Sequence, residues 1–178
     1  MKKEEYDMNG KTALVIIDIQ NMLVNEGPYQ ADRMIDTING AIALFREKGL
    51  PVIFVQHTNE ELLEGSEGWQ IYGGLDAREE DLRVKKSYNS MFKETALEGL
   101  LQKAGIKRLV ICGMQTDWCV DTSVKVAFEK GYELLVLKEA FSTFDSSIPA
   151  EAINEFFENI WSGGFAKLTG LEQLAELV

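Results

Sequence analysis

Short, nearly continuous apolar runs alternate along the chain with longer stretches whose apolar residues recur every three or four positions. The first run, residues 11–19 (Lys-Thr-Ala-Leu-Val-Ile-Ile-Asp-Ile), is rich in β-branched residues, as a strand buried on both faces requires. Residues 30–48 then place Met34, Ile35, Ile38, Ala41, Ile42 and Phe45 on one helical stripe, ended by Gly49 and Pro51. Residues 52–56 (Val-Ile-Phe-Val-Gln) read as a second strand with His57 just past its end. Residues 82–85 read as a short third strand, followed at once by Lys86. A helix over 93–104 puts Ala96, Leu97, Leu100, Leu101 and Ala104 on one face and stops at Gly105. Residues 107–112 form a fourth strand. The helix after it carries Val120, Val124, Ala127 and Phe128 inward and ends near Gly131. A fifth strand over 132–138, a helix over 149–161 with Ile153, Phe156, Phe157, Ile160 and Trp161 inward, a short sixth strand over 164–168 and a last helix from Leu171 complete the pattern.

Strands that alternate with helices predict an α/β fold: a three-layer α-β-α sandwich with a six-stranded parallel sheet covered on both faces. No linker, repeat or low-complexity segment divides the chain, so residues 1–178 are expected to form one domain. With strand order 3-2-1-4-5-6, the winding reverses between the first and fourth strands. Ligands in such sheets bind outside the carboxyl ends at that point. Asp18 closes the first strand, Cys119 follows the fourth, and the third brings Lys86 to the same edge.

Those three residue types make chemical sense together. Cys119 lies in Gly113-Met114-Gln115-Thr116-Asp117-Trp118-Cys119-Val120, the passage from a strand into the first turn of a helix. Unpaired backbone N–H groups and the helix dipole favour a thiolate there, and the same N–H groups can receive an oxyanion. Lys86 adds a cation, and the Asp18 carboxylate can carry the thiol proton to a leaving amine. Asp18, Asp117 and Asp121 oppose the thiolate, so Cys119 and Asp18 are expected to titrate as a coupled pair. The plain alternative is a buried structural cysteine.

The formal net charge of −11 argues against nucleic acid and anionic membranes as partners. Two cysteines make no disulfide framework and fit a reducing compartment. The start, Met1-Lys2-Lys3-Glu4-Glu5-Tyr6-Asp7, has no apolar signal region, and no apolar run is long enough to cross a membrane, so a cytoplasmic location is expected. His57 is the one histidine, which leaves too few ligands for a two- or three-histidine zinc site. Residues 58–81 are polar and glycine-rich but contain Trp69 and Tyr72, the composition of a folded lid over a pocket.

The chain resembles the isochorismatase-like cysteine hydrolase superfamily, which includes nicotinamidases and N-carbamoylsarcosine amidohydrolases. The matching pieces are Val15-Ile16-Ile17-Asp18-Ile19-Gln20-Asn21, Lys86-Ser87-Tyr88-Asn89-Ser90-Met91-Phe92, and Cys112-Gly113-Met114-Gln115-Thr116-Asp117-Trp118-Cys119-Val120. The resemblance implies a catalytic triad of Asp18, Lys86 and Cys119. It implies a cis peptide at Met114–Gln115 and an oxyanion hole from the N–H groups of Gln115 and Cys119. Substrate contacts are expected from Trp118, with Gln20, Leu23, Trp69 and Met114 as further candidates. Its members are commonly homodimers or homotetramers. The implied reaction is cleavage of a C–N bond in a small amide or carbamoyl substrate through a thioester. Two departures narrow it. Cys119 is retained, unlike in true isochorismatases, which disfavours a metal-free isochorismatase-type hydrolase. The region Val55-Gln56-His57-Thr58-Asn59 lacks the Asp-x-His of metal-binding nicotinamidases, so neither metal nor cofactor is expected and His57 reads as a rim or structural residue. The competing class is a non-catalytic flavodoxin-like binding or interaction domain. No G-x-G-x-x-G or P-loop supports it.

Overall fold

The first strand, β1 (Lys11–Ile17), stops one residue before Asp18, because Asp18 adopts a left-handed backbone (φ 53°) that an extended ladder cannot contain. A computed structural model of the chain describes residues 11–178; the amino-terminal segment discussed above lies outside them. After β1 come a short helix α1 (Asn21–Asn25), α2 (Ala31–Glu47), β2 (Val52–His57), β3 (Leu82–Lys86), α3 (Leu97–Ala104) and β4 (Ile106–Met114). A π-helical turn, Thr116–Val120, then runs directly into α4 (Asp121–Glu129). The chain closes with β5 (Glu133–Ser142), α5 (Ala150–Ser162), β6 (Lys167–Thr169) and α6 (Leu171–Leu177).

The six strands are all parallel and lie in the order β3-β2-β1-β4-β5-β6, the α/β architecture expected from the sequence. Alternate residues of each strand feed two separate cores. Leu14, Ile16, Val110, Cys112 and Met114 face α2 and α6. Ala13, Val15, Ile17, Leu109 and Ile111 face the other layer, where Leu97 and Leu101 of α3, Val124 and Ala127 of α4 and Trp161 of α5 pack. Burying apolar area at about 25 cal/mol per Å² on both faces drives this arrangement. Every residue of the expected α2 stripe is buried.

At the carboxyl edge β1 and β4 approach closely. Gly113, with φ 127°, lies so near β1 that a Cβ would stand 2.0 Å from the Ile17 carbonyl oxygen. Only glycine permits that contact beside Asp18.

Several helices differ from the sequence reading. α3 begins at Leu97 rather than at residue 93, because Glu94 is left-handed (φ 55°) and Thr95 caps the turn with its hydroxyl on the Met91 carbonyl. Ala96 and Ala104 are therefore exposed. Phe128 and Phe156 point outward, at 42% and 59% exposure, and touch Phe165 and Phe157 edge-on rather than entering the core. β5 runs on to Ser142, four residues beyond the expected end, with left-handed Glu139 inside it.

Candidate active site

The carboxyl ends of β1, β3 and β4 converge on one buried cation. Lys86, the last residue of β3, has a side chain with no exposed surface. Its Nζ lies 2.7 Å from Asp18 Oδ2 and donates to Cys119 Sγ at 3.1 Å. It also lies 2.9 Å from His57 Nδ1 and 3.2 Å from the Tyr88 carbonyl oxygen. Asp18, Lys86 and Cys119, singled out in the sequence at separations of 68 and 33 residues, thus meet around a single ammonium.

Local structure fixes each member. The Asp18 N–H donates to the Val55 carbonyl of the adjacent strand at 2.9 Å, so its left-handed backbone is held from outside. The segment that follows Lys86 is tied to α4: the Met91 N–H donates to Ser123 Oγ at 3.0 Å, and Ser123 is wholly buried. The turn that carries Cys119 is fixed to α5 by the Thr116 hydroxyl, which donates to Asn154 Oδ1 at 2.6 Å, and the start of α4 that follows it by the Trp161 indole N–H on Asp121 Oδ1 at 3.0 Å. The Met114–Gln115 peptide at the start of this turn is cis.

Electrostatics at Cys119 are finely opposed. Burial first, and then the Asp18 carboxylate, push its thiol up to about 12, against the pull of Lys86. Asp117 and Asp121, expected to add to this opposition, do not face the sulfur. Asp117 accepts from Thr143 Oγ1 at 2.6 Å, and Asp121 pairs with Lys125 and Trp161. The resting group is therefore a thiol at neutral pH. The Asp18 atom Oδ1 is buried and without a hydrogen-bond partner among the described residues. Such an oxygen is costly to leave unpaired, and it is ready to accept a proton.

Asp18, His57 and Cys119 each bring one potential ligand atom within 4.8 Å of the others. The trio does not fit a metal ion. The Lys86 ammonium lies within 3.1 Å of an atom of all three, so it already takes the cation's place.

The expected substrate contacts divide. Trp118, next to Cys119 in the turn, is 57% exposed and presents its indole to solvent. Gln20 does not: it is fully buried, and its amide is spent on backbone, donating to the Trp69 and His57 carbonyls and accepting from the His57 N–H. Met114 is also fully buried, in the α2-side core on the sheet face opposite Cys119. Leu23 is half-buried against the same core. Trp69 is nearly buried, and its indole N–H donates to Thr58 Oγ1 at 3.0 Å. Gln20 and Gln56 both donate to its carbonyl, and Gln20 pairs with Ile71 in an antiparallel bridge. Residues 66–72 are thereby pinned to the segment after Asp18.

Two contacts of the site were not read from the sequence, where His57 reads as a rim or structural residue and Asn89 carries no role. His57 contacts Lys86, and Asn89 places Oδ1 3.9 Å from Cys119 Sγ. For His57 a signal existed: in a parallel sheet, the residues that end neighbouring strands stand side by side.

Comparison with known proteins agrees with this geometry. Residues 12–173 match the family model described as the isochorismatase domain. An isochorismatase family protein of Bacillus subtilis, YddQ, is 32% identical over 174 residues, covering 90% of this chain and 97% of that protein. Nicotinamidase 3 of Arabidopsis thaliana is 26% identical over 187 residues, covering 94% and 89%. Among solved structures, an isochorismatase hydrolase from Oleispira antarctica superposes with a TM-score of 0.87 at 29% identity, covering 99% of both chains.

Proposed function

Because the chain belongs to the isochorismatase family, we propose that it is a cysteine hydrolase that cleaves the C–N bond of a small amide or carbamoyl compound. The observation that carries this reading is the approach of Asp18, Lys86 and Cys119 around one buried ammonium, with Asp18 Oδ1 unpartnered among the described residues and so open to a proton.

The reaction follows from those contacts. Substrate enters with its carbonyl carbon against Cys119 Sγ. Asp18 takes the thiol proton as sulfur attacks, so the thiolate exists only while the new S–C bond forms. This order suits a thiol that burial holds protonated at rest. Lys86 stabilises the negative charge as it leaves the carboxylate region and appears on sulfur. The N–H groups of Gln115, just before the turn, and of Cys119, within it, receive the carbonyl oxygen as it becomes an oxyanion. Asp18 then gives its proton to the departing nitrogen, the C–N bond breaks, and an acyl-thioester remains on Cys119. Water, deprotonated by Asp18, attacks the thioester. The acid leaves and the thiol is restored with its proton. Trp118 supplies the exposed apolar wall next to the nucleophile.

A panel of small amides and carbamoyl compounds assayed for released ammonia or amine tests the reading. Turnover of at least one by the wild type, and none by Cys119→Ala, is expected. Equal release by both proteins would defeat it.

A further inference from the structure

We infer that His57 is a positioning residue of this site: its unprotonated Nδ1 takes one of the three Lys86 N–H bonds and holds Nζ between Asp18 and Cys119. What the held ammonium is for rests on the cysteine-hydrolase reading above, while the hydrogen bond itself rests on geometry alone.

An ammonium has three hydrogens and no lone pair, so every polar atom in contact with it must accept. Lys86 is sealed from solvent, and its ammonium pairs with the Asp18 carboxylate at 2.7 Å. His57 Nδ1, at 2.9 Å, must then be bare, with the ring proton on Nε2. Four acceptors surround three hydrogens. Asp18 and His57 make the two shortest contacts. The third hydrogen, which stays on Nζ, is shared between Cys119 Sγ at 3.1 Å and the Tyr88 carbonyl at 3.2 Å, and its hydrogen bond can shift wholly to sulfur as the thiolate forms.

The fold sets this contact twice over. His57 and Lys86 are direct partners in the parallel register of β2 and β3, so their side chains leave the sheet on the same side. The His57 peptide is bracketed by one side chain: Gln20 Oε1 accepts its N–H at 2.9 Å, and Gln20 Nε2 donates to its carbonyl at 3.1 Å. Gln20 is fully buried and cannot yield to solvent.

Proton uptake at His57 breaks the arrangement. An imidazolium has no acceptor, and it sets a second positive charge against Lys86. The charged groups that face it are Lys86 from β3 and Asp18 from the end of β1, with the Cys119 thiol from the π-helical turn; the Lys85–Glu64 pair nearby is exposed. Burial and then Lys86 hold the imidazole below its ordinary value, and Asp18 opposes them only in part. The site therefore stays connected at neutral pH and comes apart in acid.

The chain has one histidine, so nitrogen NMR of ring-labelled protein reads this residue without ambiguity. At neutral pH the wild type should show a bare Nδ1 and a protonated Nε2. Lys86→Met should move the imidazole titration up by about one pH unit, because the nearest cation is gone and Asp18 remains. A proton on Nδ1 in the wild type, or a titration that Lys86→Met leaves in place, overturns the inference. A second measurement is iodoacetamide alkylation of Cys119 at fixed pH. His57→Asn keeps an oxygen near the Nδ1 position and should react within about twofold of wild type. His57→Phe offers no acceptor and should react about tenfold more slowly. Equal rates in wild type and His57→Phe also overturn it. If His57→Phe does not fold, the NMR of wild type and Lys86→Met decides alone. Failure of every amide to turn over would count against the hydrolase reading and leave the imidazole signals unmoved.

Discussion

Cys112 and Cys119 lie seven positions apart, are both free and are both buried, yet their surroundings have nothing in common. Cys112 sits within β4 on the α2 face among aliphatic side chains, with Sγ 3.7 Å from the Val15 carbonyl. Burial alone drives its thiol far above the ordinary range. Cys119 sits one turn past the end of the same strand, on the other face of the sheet, in contact with Lys86 and close to Asp18. Its thiol is held up as well, to about 12, but the lysine pulls against the burial. Burial alone therefore does not distinguish the two cysteines. What separates them is whether a proton acceptor and a cation share the burial. A strand interior cannot supply these, because its side chains meet only the packed layers. A strand end can, because several strands finish together there.

The sharpest way to test that contrast is to remove the acceptor. Asp18→Asn keeps shape and polarity but cannot carry the proton. Turnover should fall by about 10²–10⁴-fold, the range for a lost general acid–base. Alkylation of Cys119 should be unchanged or faster, since a charge that disfavours the thiolate is gone. Cys112 should stay unreactive in both proteins. Turnover close to wild type in a folded Asp18→Asn would end the proposed role of Asp18.

Removing the cation acts on stability as well. Lys86→Met leaves the Asp18 carboxylate buried without its partner, and breaking one side of such a pair costs about 3–5 kcal/mol. Urea unfolding should show that loss, and Asp18→Asn added to Lys86→Met should recover part of it, because no charge is then left unpaired. Alkylation of Cys119 should slow across the whole pH range, with Cys112 unaffected. A Lys86→Met protein that alkylates as fast as wild type would confine Lys86 to a structural part.

Much of this site was legible in the sequence, and the reason is geometric. Apolar runs fix which segments are strands, a parallel sheet aligns strand ends, and Asp18, Lys86 and Cys119 all fall at such ends. The cross-strand contact of His57 with Lys86 was not read, because the sequence placed His57 one residue past its strand, whereas β2 includes it. The burial of Gln20 and Met114 was not read from the sequence for a related reason. Closeness in sequence to Cys119 says nothing of which sheet face a side chain takes, and Met114 takes the other. The outward turn of Phe128 and Phe156 has the same root: helical spacing marks a stripe but not how far the neighbouring elements extend to cover it.

A smaller effect should appear on stability in alkali, where the two cysteines act alike. Each thiol is held above its ordinary value of 9.0 in the folded state. Between about pH 9 and the folded values, the unfolded chain loses a proton that the folded chain keeps, so stability falls as pH rises. The slope approaches about 1.4 kcal/mol per pH unit for each group. Below pH 9 neither thiol contributes a slope. Chemical unfolding of wild type, Cys112→Ala and Cys119→Ala between pH 8 and roughly 11 should show the slope reduced in each single variant. A slope that survives both replacements would mean that other groups set the alkaline limit.

The smallest expected effect is none, and it rests on the same contrast. Among the described residues, the potential metal donors Asp18 and His57 cluster around Cys119 and not around Cys112. If either cysteine were part of a metal centre it would be Cys119. The atoms that would bind the ion instead bind the Lys86 ammonium, which stands 2.7 Å from Asp18, 2.9 Å from His57 and 3.1 Å from Cys119. An added divalent ion would have to displace a charged group that is already buried and paired with Asp18. Chelation by EDTA should therefore leave turnover of any amide substrate unchanged, and zinc should not protect Cys119 from iodoacetamide. Protection by zinc, or loss of turnover on chelation with recovery on added metal, would show that Lys86 leaves the centre of the trio and that the two cysteines differ by a metal rather than by a lysine.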